Sequence, residues 1–512
     1  MKKAMKKLMA ALLAVAMVCA MAIPAFAYNT WETEEDLNQL HGYSAFQIFK
    51  GVISKDNETL SNVGWGSSIT KPDEFLAQLT ADPTIGGEFK TNFTAQDVLA
   101  VISKWHNSDD YSIAFARVVC HYLYPDANAT PEPAVKGGGG SDHIHFDEAG
   151  YYLVVDTTPF NHGDFDHAYN SFLLMVTRDN WNVPITPKAE KPSVKKEVFD
   201  NFDNQDGTST GDFGSSADHA INEKFQFKLT ATLPASTDHA YDYYDTYAVC
   251  FKDTLSEGIT YDGPDSVVIK SNGTPYDITK DSSKYDIDTT DLENQNYFEV
   301  NIHDVKACAK DAGFDLNDGA TITFTYTAHL NEKAYVNIGS GSTENKNSVQ
   351  LKYSNNPRPG DYWGTTPKSE VYVFTYQLNN TKRAETENGT PLPGAVFQLY
   401  SDADCKNEVK LYQDGEFYYP IKNATGKEAV EMKSAANGQF NVKGLDAGTY
   451  YLRETTPPAG YSACPDTTIV ISATHDGNRV NLESSKLYTT IINNKAGGIT
   501  LPSTGGIGTT LF

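Results

Sequence analysis

The sequence predicts an all-β protein made of tandem β-sandwiches, with some helix in its first domain. Three observations carry this. Short alternating stretches recur, among them Tyr151-Tyr-Leu-Val-Val, Phe225-Gln-Phe-Lys-Leu, Ile322-Thr-Phe-Thr-Tyr and Val349-Gln-Leu-Lys-Tyr. Gly, Pro, Asn and Asp break them at short intervals, as the turns of sandwiches require. The chain has 512 residues, enough for about three domains of ordinary size.

The N-terminus reads as a secretory signal. Lys2, Lys3, Lys6 and Lys7 precede the apolar run Leu8 to Ile23, and Ala25-Phe26-Ala27 is a small-x-small cleavage site, so residues 1–27 are removed. Removing those four lysines takes the formal charge from -25 to -29. So acidic an exported chain repels nucleic acid and anionic surfaces. The remaining cysteines, Cys120, Cys250, Cys308, Cys405 and Cys464, are scattered, odd in number and without metal-type spacing. They form no disulfide framework. Cys405 and Cys464 share one expected domain, where they either pair or stay as buried thiols.

The first domain is expected over 28–188, with helices near Pro72 to Leu79 and Ala95 to Lys104. Lys136-Gly-Gly-Gly-Gly-Ser141 reads as a flexible loop. Asp142, His143, His145, His162, Asp164, Asp166 and His167 cluster in sequence, but loop residues of this kind are usually solvated. No metal or cofactor is expected. Pro-rich breaks at Pro184 to Pro192 and Asn355 to Gly360 suggest a middle domain over 189–365 and a third over 366–496.

In the middle domain Val194, Lys196 and Val198 share one strand face, so Lys196 points inward if the valines do, and Lys195 points outward. Asn347 is in phase with Val349, Leu351 and Tyr353. Asp253 is in phase with Val249 and Phe251; Asp245 and Glu223 are alternative acids. In the third domain Tyr450, Leu452 and Glu454 share a face. Phe374, Tyr376 and Leu378 run in phase to Lys382, and Asn493 follows Thr489-Thr-Ile-Ile, with Asn494 adjacent. A carboxyl in phase with core residues is costly to bury without a partner.

Residues 497–512 form a Gly-, Ser- and Thr-rich tail that cannot pack and should be extended. It holds Leu501-Pro502-Ser503-Thr504-Gly505. This resembles the sorting signal cut by sortase transpeptidases between Thr and Gly. Such a signal is normally followed by a membrane span, but only Gly505 to Phe512 follow, short of the roughly 20 residues a spanning helix needs. Thr509-Thr-Leu-Phe512 reads like the start of a span, so truncation is the expectation.

Gly448-Thr-Tyr-Tyr-Leu-Arg-Glu-Thr-Thr-Pro-Pro-Ala-Gly-Tyr461 resembles the E-box of sortase-assembled pilins, and Leu392-Pro-Gly-Ala-Val-Phe-Gln-Leu-Tyr400 resembles a strand of collagen-adhesin B-type domains. Asn182-Val-Pro-Ile-Thr-Pro-Lys-Ala189 resembles the pilin motif, whose Lys amine resolves the sortase acyl-enzyme. The resemblance spans nearly the whole mature chain and implies immunoglobulin-like and collagen-adhesin B-type sandwiches. It implies the major shaft pilin of a Gram-positive bacterium, secreted, anchored to the cell wall and supporting adhesion, and not an enzyme. Its partners would be further copies of itself, a pilin sortase, minor pilins, peptidoglycan and a host surface ligand, with no nucleic acid.

The same resemblance implies intramolecular isopeptide bonds, Lys196 to Asn347 with Asp253 as acid and Lys382 to Asn493 with Glu454. It also implies polymerisation through Lys188, with Lys191 as the nearby competitor, onto Thr504. The rival is a wall-anchored adhesin or minor pilin lacking a polymerising Lys. A secreted hydrolase finds no nucleophile elbow, metal motif or local acid pair here.

Overall fold

The computed structural model describes residues 42–53, 60–106, 109–136, 143–157, 173–177, 181–184, 191–203, 209–341, 344–359, 363–482 and 485–495. The chain is mostly strand, as the alternation predicts, with helix concentrated in the first part.

In that part strands β1 (Tyr43–Ile53), β2 (Leu60–Trp65), β3 (Gly150–Asp156) and β4 (Leu173–Thr177) form one antiparallel sheet in the order β2-β1-β3-β4. Three helices cover it: α1 (Pro72–Ala81), α2 (Ala95–Ile102) and α3 (Asp110–Leu123). Pro at the start of α1 and a capping box between Thr94 and Asp97 at α2 mark the two helices the sequence predicts. The third was not expected, because Ile113, Phe115, Val118 and Val119 favour strands. Their spacing nevertheless puts one face in the core, and Asp109 caps the helix by accepting from the Ser112 amide at 2.8 Å.

The middle sandwich comprises two sheets. One contains β5 (Ser193–Asp203), β7 (Lys224–Leu233), β9 (Ile259–Ser271) and β11 (Ala320–Leu330), in the order β9-β11-β7-β5. The other contains β6 (Ser216–Asp218), β8 (Val249–Leu255), β10 (Tyr297–Ile302), β12 (Asn345–Ser354) and β13 (Ser369–Phe374), in the order β6-β13-β12-β8-β10. Strict alternation along β7 and β11 sends Phe225, Phe227, Leu229, Ile322, Phe324 and Tyr326 into the core between the sheets.

Ser369–Phe374 pairs with β12, so this stretch belongs to the middle sandwich although it lies beyond residue 365. Asn355, Asn356 and Pro357 are buried, and Arg358 lies over the Tyr124 ring at 5.1 Å. The Pro-rich stretch there is therefore a packed turn against the first domain, not the loosely held linker its composition suggests.

The third unit starts at once, with β14 (Tyr376–Ala384). It continues through β15 (Val396–Tyr400), β16 (Asn441–Leu445), β17 (Gly448–Thr456), β18 (Thr467–Ile471) and β19 (Tyr488–Asn493). β14 lies between β16 and β19, and β15, β17 and β18 form the opposing sheet. The first and last strands run parallel in register, with Lys382 opposite Ile491 and Ala384 opposite Asn493.

Two buried lysine, asparagine and carboxylate clusters as the candidate functional site

In the middle sandwich, strand alternation buries Lys196, Asp253 and Asn347. Lys196 comes from one sheet, where β5 pairs with β7 and Lys196 faces Leu229. Asp253 and Asn347 come from the other, on β8 and β12. Their side chains meet where the sheets face each other. The Lys196 amine contacts the Asp253 carboxylate. It also lies 4.9 Å from the centre of the Phe227 ring.

A fourth residue joins the set. The Tyr326 hydroxyl accepts from Lys196 Nζ at 3.2 Å and from Asn347 Nδ2 at 2.6 Å, and donates to Asp253 Oδ1 at 3.1 Å. Asp253 is thus linked to Asn347 through Tyr326. Asn347 Oδ1 has no hydrogen-bond partner among the described residues.

Burial sets the electrostatics. Desolvation lowers the Lys196 amine to about 8, outweighing the pull of Asp253 in the other direction. Desolvation likewise raises the Asp253 carboxyl, although Lys196 opposes it. Both shifts move the pair toward its neutral form, an amine with a free lone pair beside a carboxylic acid. A neutral amine is a nucleophile, and an amide carbon beside it is an electrophile.

The third unit brings the same three kinds of side chain together on different strands. Lys382 is on β14, Glu454 on β17 opposite Phe397, and Asn493 at the end of β19; all three are buried. The Lys382 amine contacts Asn493 Oδ1 and lies 3.2 Å from Glu454 Oε1. Asn493 Nδ2 donates to both Glu454 oxygens, at 3.0 and 2.9 Å. Glu454 Oε2 also accepts from the Cys464 amide at 2.9 Å. Glu454 therefore faces the amide nitrogen of Asn493, while the Lys382 amine meets its carbonyl oxygen. That side suits delivery of a proton to a leaving amine.

Residues 378–486 match the SpaA prealbumin-like fold domain. The matched span holds Lys382 and Glu454, and Asn493 lies just beyond it. No curated protein matches the chain.

Solved structures similar to it include the following three. The T6 backbone pilin of serotype M6 Streptococcus pyogenes is 17% identical with a TM-score of 0.49, over 90% of this chain and 97% of that one. The full-length major pilin SpaD from Corynebacterium diphtheriae is 20% identical with a TM-score of 0.44, over 89% and 93%. A 35 kDa C-terminal fragment of the major pilin GBS80 of Streptococcus agalactiae is 22% identical with a TM-score of 0.42, over 60% and 100%.

The alternatives left open by the sequence fall elsewhere. Lys195 pairs with Glu197 at the surface, and Asn494 is exposed beside the third unit's last strand. Asp245 lies 2.9 Å from both Arg117 and His121 of α3, and Glu223 pairs with Lys422 at 2.7 Å. Cys405 and Cys464 are free thiols. Burial pushes the Cys464 thiol up to about 11, and its sulfur is 3.7 Å from the Lys382 amine.

Of the His and Asp cluster in the first domain, His145 bonds to Asn182 at 2.8 Å; the side chain of His143 and residues Asp142, His162, Asp164, Asp166 and His167 lie outside what is described. So do Lys188, the signal 1–27 and Leu501, Pro502, Ser503, Thr504 and Gly505.

Tyr326 is the member of the middle cluster that the sequence did not single out. Its signal was present, since Ile322, Phe324 and Tyr326 alternate inward, but alternation alone reads as core packing.

Proposed function

We propose that the chain is the shaft-forming subunit of a covalent pilus on a Gram-positive cell surface, and a structural protein rather than an enzyme. The carrying observation is the pair of buried clusters, each with a lysine amine, an asparagine amide and a carboxyl brought together across strands. Packed cores seldom hold such a set once, because unpaired charge is expensive to bury.

In each cluster the lysine amine attacks the asparagine Cγ. The Cγ–Nδ2 bond breaks, a Cγ–Nζ amide forms, and ammonia leaves carrying the surplus lysine proton. Glu454 relays that proton in the third unit. In the middle unit Asp253 does so through the Tyr326 hydroxyl. Burial excludes water, which would otherwise compete for the amide and restore the charge on the amine.

The same reading assigns polymerisation to Lys188, as the amine that takes the Thr504 carbonyl of the next subunit from sortase. Leu501 to Gly505 serve as the sorting signal, with minor pilins, the peptidoglycan wall and a host surface as further partners. We place the first domain at 28–188 and the middle one from 189. Because β13 is paired in the middle sheet, we place the boundary with the third at Thr375.

The deciding experiment incubates the mature protein with its sortase and resolves the products on a denaturing gel. A ladder that disappears in Lys188→Ala, with the monomer still folded, supports a shaft subunit. A single wall-linked band supports an adhesin or minor pilin instead. A normal ladder from the variant moves the nucleophile, first to Lys191.

A further inference from the structure

The junction between the middle and third units carries a cluster that crosslinking leaves unused. The segment His219 to Glu223 follows β6 and docks the middle unit on its neighbour. The Ile221 amide donates to the Gly444 carbonyl at 2.9 Å, and Asn222 Nδ2 donates to the Pro420 carbonyl at 2.9 Å. Asp446 follows β16 on the other side. One potential ligand atom from each of His219, Glu223 and Asp446 lies within 4.8 Å of the other two.

His219 is the decisive member. It is 0% exposed, and its ring stacks on Phe225 with centroids 4.1 Å apart. Its Nε2 is 2.7 Å from the Phe199 carbonyl oxygen. A carbonyl only accepts, so Nε2 carries the proton and Nδ1 keeps a bare lone pair. Nδ1 has no hydrogen-bond partner among the described residues. With Nε2 committed, Nδ1 is the nitrogen left for Glu223 and Asp446. An imidazole with one nitrogen pinned to a carbonyl and the other free is arranged as a metal ligand is.

Both carboxylates are partly committed. Asp446 Oδ1 accepts from the Ala447 amide at 2.8 Å. Glu223 Oε2 takes the Ala220 amide and Lys422, leaving Oε1 with one long contact to Asn201 at 3.5 Å. A neighbouring trio, Asp200, Asp218 and His475, meets the same spacing but differs in kind. Both nitrogens of His475 are engaged, Nδ1 with Ser216 Oγ at 2.9 Å and Nε2 with Asp200 at 3.3 Å. That trio leaves no histidine nitrogen free, and its Asp218 shares a side-chain hydrogen bond with Asp446.

We infer that His219, Glu223 and Asp446 bind a divalent transition-metal ion that clamps the middle unit to the third. One imidazole and two carboxylates suit Zn²⁺ or Mn²⁺, with water completing the coordination. An all-oxygen cation such as Ca²⁺ gains nothing from His219. The inference stands apart from the pilus reading, since it uses none of the crosslinking residues.

The test uses the full mature protein, stripped with chelator, equilibrated with ZnCl₂ and assayed for retained zinc by atomic emission. Wild type should retain one equivalent. Glu223→Gln and Asp446→Asn should each weaken retention at least tenfold, whereas Asp200→Asn should leave it unchanged. Co²⁺ should give visible bands in wild type beyond those of the hydrated ion, and both variants should lose them. Circular dichroism checks folding. If Asp446→Asn is misfolded, Glu223→Gln decides, because Glu223 is only partly buried. No retained zinc in wild type overturns the inference. So does undiminished zinc in folded Glu223→Gln, or loss of zinc in Asp200→Asn alone.

Discussion

Asn347→Ala removes the electrophile of the middle cluster while Lys196 keeps Asp253 and Tyr326 as partners. The proposed bond closes a loop of about 150 residues, and the loop-entropy relation for covalent crosslinks gives about 5 kcal/mol for opening it. The Tyr326 hydroxyl loses one donor but keeps its bond to Asp253, so the open loop should dominate the loss. For a domain of this size that corresponds to a fall in Tm of roughly 10–20 °C. Intact mass gives an independent reading. Each isopeptide bond loses one ammonia, so wild type should weigh about 34 Da less than its sequence, and the variant about 17 Da less than its own. Calorimetry and mass spectrometry on one preparation suffice. A wild-type mass equal to the sequence mass, or an unchanged midpoint for the middle transition, would refute the reasoning.

Tyr326→Phe keeps the ring and removes only the hydroxyl, so refolded protein should form the middle bond about 10²-fold more slowly, read as the rate at which about 17 Da is lost; an unchanged rate would make Tyr326 packing alone. Glu454→Ala should leave the third bond unformed and restore about 17 Da while the middle bond still forms. In Asn347→Ala the Lys196 amine stays free and buried at about 8, against 10.5 when unfolded. Between those values the unfolded chain binds more protons, so stability from Lys196 should rise with pH across that window. Denaturant midpoints of Asn347→Ala with and without Lys196→Met would show it. Under tension between Lys188 and Thr504, wild type should extend in the middle unit by no more than the stretch after Asn347. That stretch carries β13, which lies outside the proposed covalent loop. Asn347→Ala should add about 150 residues at about 3.3–3.6 Å each.

Much of this molecule was legible along the chain because strands alternate. Once Val198 is known to face inward, the period of two places Lys196 there too; the same holds for Asp253 after Phe251 and Glu454 after Leu452. Turn residues announced where strands end. Helix α3 was not legible, because its β-branched and aromatic residues favour a strand locally and tertiary burial of one face overrides that preference. Nor was the role of Asn355 to Arg358, whose composition says linker while packing against Tyr124 makes it a docking turn.

The sequence by itself determined which side chains must be buried, since periodicity is a local property of the chain. It did not determine which buried groups touch. Tyr326 lies on β11, and Asp253 and Asn347 on β8 and β12 of the opposing sheet. Only the stacking of the two sheets brings the hydroxyl between them. His219 and Asp446 likewise lie on different units and meet only because Ile221 docks on Gly444. Contacts between residues far apart in sequence depend on how sheets face and register, and no period along a single strand encodes that.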